Sequence, residues 1–116
     1  MLWALHDDER LDEEARTAIQ DPDNLVAVSA ASIWEIEIKV ALGKLKIDVE
    51  LLDEVTRVGY SLLAIFGEHA VAAARLPPHH RDPFDRMLIA QAQLEGLTLV
   101  TGDPRFEPYA VATMAA

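Results

Sequence analysis

Two aspartates three residues apart, Asp82 and Asp85, flank a proline in HHRDPFDRMLIAQA, residues 79–92, which runs straight into an apolar, alanine-rich segment. Two chemistries suit them. Asp is a favoured helix N-cap, Pro is favoured at the first helical position, and an acid in the first turn complements the helix dipole. Carboxylates are also the natural ligands of hard divalent cations. Which role applies depends on the acids that fold against them.

Two more acids occupy comparable places. Glu35 lies in VSAASIWEIEIK, one turn into a predicted helix. There Ser32-x-x-Glu35 matches a capping box, in which Glu bonds back to the cap backbone. Asp103 follows the apolar run LTLVT by two residues and precedes Pro104, where a turn aspartate bonding nearby backbone is ordinary. Taken together, Glu35, Asp85 and Asp103 come from three segments that a parallel sheet can gather at one end. Like charges that close repel and raise their own pKa values unless a cation sits among them. Mg²⁺ or Mn²⁺ is the expected cation, since both want oxygen ligands. Such an ion activates water and neutralises charge developing on a phosphoryl group.

No other constellation competes. There is no cysteine, hence no disulfide framework and no thiolate site. His79-His80 has no second pair at metal-ligand spacing. Ser29 and Ser32 lack a triad or nucleophile elbow, and no glycine-rich phosphate loop occurs. His69, in the apolar EHAVAAARL, reads as a partly buried surface residue, and Trp3 and Trp34 as core. Lys39, Lys44 and Lys46 suit a solvated helix end and an RNA contact equally.

The elements that must position these acids follow from pattern. Residues 2–20 read as a helix bent around HDDER, with Leu11, Ala15, Ala18 and Ile19 at helical spacing. DPDN at 21–24 is a turn, and LVAVS at 25–29 a buried parallel strand. A helix is predicted from 30 to Leu42, stopped by Gly43, and another over 48–59. YSLLAI at 60–65 reads as a strand, and GEHAVAAARL as a helix ended by Pro77-Pro78. The helix from 83 to Glu95 stops at Gly96, and LTLVT at 97–101 is a strand. Strands alternating with helices imply a parallel sheet covered on both faces, with function at the carboxyl ends of the strands.

A chain of 116 residues, about half of them hydrophobic, suits a single domain over residues 1–116. No apolar run is long enough to cross a bilayer, and MLWALHDDER lacks the basic start of a signal peptide. A cytoplasmic protein with no membrane partner is expected. The net charge of −10 argues against bulk electrostatic binding of nucleic acid. The charge is uneven, however. Residues 1–23 carry eight acids against Arg10 and Arg16, most simply the solvated face of a helix. Residues 72–116 offer Arg75, His79, His80, Arg81, Arg86 and Arg105 to an anion.

The segments LWALHDDERL, VSAASIWEIEIKVALGKL and LPPHHRDPFDRMLIAQAQLEGLTLVTGDPRF, in that order, resemble PIN-domain ribonucleases, specifically VapC-type toxins of bacterial toxin–antitoxin pairs. The resemblance implies an α/β/α sandwich around a parallel sheet and cleavage of RNA phosphodiester bonds with Mg²⁺ or Mn²⁺. It also implies a homodimer held inactive by a VapB-like antitoxin whose tail reaches the acidic pocket. The family's acidic site falls on Glu35, Asp85 and Asp103, with Asp82 beside them. Asp85 is the expected ligand and Asp82 the expected N-cap. Arg81, Arg86, Arg105 and Lys39 are the cations expected to meet RNA.

One departure stands out. The family begins with a short hydrophobic strand ending in an aspartate, and this chain begins inside the following helix. The first strand and its aspartate are therefore expected to be missing, through a misassigned start or a true truncation. The alternative function is a truncated module that binds an antitoxin without cleaving RNA. A metal-dependent hydrolase of another phosphoester is a third.

Overall fold

The computed structural model describes residues 2–3, 25–78, 82–100, 109 and 113–114. Five strands appear in it: β1 (Leu2–Trp3), β2 (Ala27–Ser29), β3 (Ser61–Leu63), β4 (Leu99–Val100) and β5 (Thr113–Met114). Four helices lie between them: α1 (Ala30–Ala41), α2 (Leu51–Arg57), α3 (Gly67–Arg75) and α4 (Pro83–Glu95). The strands form one sheet in the order β3-β2-β1-β4-β5, and every pairing is parallel. This is the expected α/β class.

The centre of the sheet corrects the expectation of a missing first strand. Leu2 pairs with Ala27 on one side and Leu99 on the other, and Trp3 with Val28 and Val100. Leu2 and Trp3 are thus strand and not the start of a helix; residues 4–20 lie outside the described residues. The physical reason is the backbone. Without a strand between them, β2 and β4 would bury unpaired N–H and C=O groups at the heart of the sheet, and the first apolar pair in the chain fills that place. The order also reverses between β1 and β4, the kind of switch point whose carboxyl-end crevice takes ligands in open α/β sheets. β5, at Thr113–Met114, has no counterpart in the sequence reading.

Each helix boundary has a local cause. α1 starts at Ser29, whose Oγ accepts the Ala31 N–H at 3.0 Å. It stops where Gly43 takes φ +74 and the Gly43 and Lys44 N–H groups bond back to Val40 and Lys39, a Schellman end. The capping box expected at Ser32 does not form the cap, because Ser29 already holds that position. α4 is closed at both ends, by Asp82 and by Gly96 at φ +65. α2 is shorter than the expected 48–59, and its cap, Glu50, makes no side-chain hydrogen bond.

The core gathers around α4. Leu88, Ile89 and Ala92 pack with Leu99 of β4 and with Tyr109, flanked by Leu63, Leu76 and Leu97. α4 lies against both α3 and α1, so the residues it carries are fixed from two sides. Among the described residues no helix is long and apolar enough to cross a membrane.

Candidate metal centre

Asp82 does the capping. Its Oδ1 accepts the Phe84 N–H at 2.9 Å and the Asp85 N–H at 3.3 Å, with Pro83 in the first turn. The backbone thereby fixes Asp85 at the start of α4, where its side chain is buried, with only 4% of its surface exposed. A carboxylate withdrawn from water to that degree requires compensation by cations or hydrogen bonds.

Glu35 is half-buried on α1. Two contacts set how α1 meets α4. Near the start of α1, the Ser29 Oγ donates to Gln91 Oε1 at 2.5 Å. Further along, the Trp34 ring stands edge-on to Phe84, with centroids 5.1 Å apart. Residue numbers rise along α1 while their partners' numbers fall along α4, so the two segments run in opposite senses. Glu35 follows Trp34 and Asp85 follows Phe84 in the chain, so each acid is the neighbour of a residue in that ring contact.

The oxygen chemistry at this place suits a hard cation. Ser32, one turn before Glu35 on the same side of α1, is buried, and its Oγ has no hydrogen-bond partner among the described residues. A buried hydroxyl left so costs about 1–3 kcal/mol, and such groups call for an unseen water or ion. Carboxylates and a hydroxyl are all oxygen donors, the kind Mg²⁺ and Mn²⁺ take. The residues fit the group. Among the described residues no three acidic or imidazole side chains form a complete site. Asp103, the expected third ligand, lies outside the described residues, as do Arg81 and Arg105.

Three side chains have roles that the sequence reading missed. The Arg86 guanidinium donates to the carbonyls of Ala73 at 2.9 Å, Leu76 at 2.8 Å and Pro77 at 3.1 Å. It thus closes the carboxyl end of α3, where cations are favoured, instead of reaching outward to RNA as expected. Tyr109 adds its hydroxyl to the Pro77 carbonyl at 2.8 Å. His69 is fully buried, not a partly buried surface residue. Its Nδ1 accepts the Phe66 N–H at 3.0 Å, which leaves Nε2 to face Glu95 Oε1 at 2.9 Å. Lys39 stays exposed in the last turn of α1, open to a phosphate.

The PIN domain family matches residues 1–112. No curated protein matches the chain. PIN domains are in general nucleases, and those nucleases in general use divalent metals. The family match spans nearly all of the chain, and the parallel sheet with its helices agrees with it. The chain belongs to the PIN domain family.

Proposed function

We propose that the protein is a VapC-type toxin, an endoribonuclease that hydrolyses RNA phosphodiester bonds with Mg²⁺ or Mn²⁺. The observation that carries this reading is the Trp34–Phe84 contact, whose chain neighbours are Glu35 and Asp85, with the Ser32 hydroxyl buried one turn before Glu35. Glu35, Asp85 and Asp103 would hold the ion. When bound, the ion supplies a more acidic water and neutralises charge on the phosphoryl oxygens. The chain's own residues do the rest. Asp82 fixes the backbone that carries Asp85, and the burial of Asp85 keeps competing water away from its oxygens. Lys39, Arg81 and Arg105 meet the RNA backbone.

The same reading makes residues 1–116 one catalytic domain, working in the cytoplasm as a homodimer. Its antitoxin carries a cationic tail, because a guanidinium suits an acidic pocket on a chain of net charge −10. The test is cleavage of RNA by the purified protein with Mn²⁺, with EDTA, and as Asp85→Asn. Cleavage that needs the metal and disappears in the variant is the expected result. Full activity in EDTA, or in the variant, would falsify the assignment. A folded protein that binds its antitoxin yet cuts no RNA would establish the non-catalytic module in its place.

A further inference from the structure

Gln91 is the most deeply buried polar side chain of α4, with none of its surface exposed, and the proposed chemistry does not use it. It makes a set of bonds whose polarity admits one arrangement. Ser29 Oγ accepts the Ala31 N–H, so its single proton is what faces Gln91 Oε1 at 2.5 Å. Gln91 Nε2 donates to the Ala64 carbonyl at 3.2 Å, a group that can only accept. Reversing the amide would set acceptor against acceptor at the Ala64 carbonyl. On its remaining side Nε2 lies 3.4 Å from His69 Nδ1, whose ring is tied to Phe66 and Glu95.

One amide therefore joins four elements: the end of β2 and the cap of α1 through Ser29, the residue after β3 through Ala64, α3 through His69, and α4 itself. An apolar side chain can slide against its neighbours with small change in energy. A buried hydrogen bond cannot, because moving by one residue leaves donor and acceptor unpaired. The Ser29–Gln91 bond is thus a register pin between α1 and α4. It stands six residues from Glu35 on one helix and six from Asp85 on the other.

We propose that Gln91 is a positioning residue: by pinning Ser29 it fixes the register of α1 on α4 and so holds Glu35 and Asp85 in place relative to each other. The proposal rests on the metal-dependent reading for its consequence but not for its geometry. Two measurements on the full chain separate the two. The sequence has no cysteine, so cysteines placed at the exposed positions Glu37 on α1 and Leu94 on α4 can carry spin labels alone. Their pulsed dipolar distance reads the register without any metal. Mn²⁺ titration by electron paramagnetic resonance reads the site.

Gln91→Leu should shift or broaden the inter-label distance and weaken Mn²⁺ binding by about 10- to 100-fold, the effect of losing a partner that orients a ligand. Ser29→Ala should do the same. Ser29→Thr, which keeps the hydroxyl, should restore both readings. The Ser29→Ala/Gln91→Leu pair should lose little more than either single change, because both act on one bond. An unchanged label distance in Gln91→Leu overturns the proposal, and so does an altered distance with unchanged Mn²⁺ affinity. If the unsubstituted protein binds no Mn²⁺, the functional reading and the site consequence fall together, while the label distances still judge the pin. If Gln91→Leu does not fold, Ser29→Ala and Ser29→Thr carry the same comparison.

Discussion

Helices α4 and α2 are held in opposite ways. α4 has a side-chain cap, a left-handed glycine stop and bonds to residues far away in sequence: Gln91 to Ser29 and Ala64, Glu95 to His69, and Arg86 to the end of α3. α2 bonds mainly to itself. Arg57 pairs with Glu54 one turn back, and the Thr56 hydroxyl returns to the Leu52 carbonyl at 3.1 Å. Only Leu51 and Val55 of α2 are buried. Local pairs support a helix wherever it lies, whereas buried long-range bonds fix where it lies. A site built from side chains on separate elements needs the second kind, and α4 carries the proposed ligand.

The contrast is broken or sharpened by substitution. The largest effect belongs to Asp85→Asn, which should lower the RNA cleavage rate by orders of magnitude while the melting temperature stays close to that of the parent. Glu35→Gln should behave alike. Ser29→Ala follows, since it removes a cap and leaves the fully buried Gln91 carbonyl without its donor. Its cost is about 1–3 kcal/mol in urea unfolding. Asp82→Ala should cost about 1 kcal/mol. Asp82→Asn should cost far less and keep most of the activity, because Asn also caps. A collapse of activity in Asp82→Asn would instead make Asp82 a metal ligand.

The smallest effect is expected at α2. The Arg57 hydrogen bond holds the Glu54 carboxyl below the usual carboxylate range, and the same pair raises the Arg57 guanidinium. A depressed acid adds stability above its unfolded pKa and loses it as pH falls through the folded value. The pair lies at the surface, however, with Arg57 largely exposed, and surface pairs of this kind add little. Glu54→Gln should therefore leave the acid-unfolding midpoint where it is. A clear shift would show that α2 is held by more than itself.

What could be read from the sequence divides along the same line. The span of α4, its Asp82 cap and its Gly96 stop were legible, because propensity, proline position and glycine conformation are local signals. The start of α1 was legible too, and the capping box weighed at Ser32 gives way to a cap at Ser29, at the very end of β2. Gln91 was not singled out and the full burial of His69 was missed, since their partners lie 62 and 26 residues away. A polar residue in an apolar helix was the available clue. Arg86 looked like a cation for RNA because nothing in RMLIAQA announces the carbonyls at the end of α3. β1 was misread because two paired residues are too few to show a period.

The strand order has a consequence for how the chain acquires its shape. The first strand in sequence is the middle one in space, and Leu2 has Leu99 as one of its two partners. During synthesis at the ribosome, β1 emerges before both its neighbours, and the strand that covers its second edge emerges well after the first. Until then the half-sheet β3-β2-β1 presents an open edge to any other strand. Pairings between such distant segments are slow to form, and exposed edges in partly folded chains invite aggregation. The yield of this protein should therefore respond to chaperone supply more than its native stability alone would suggest.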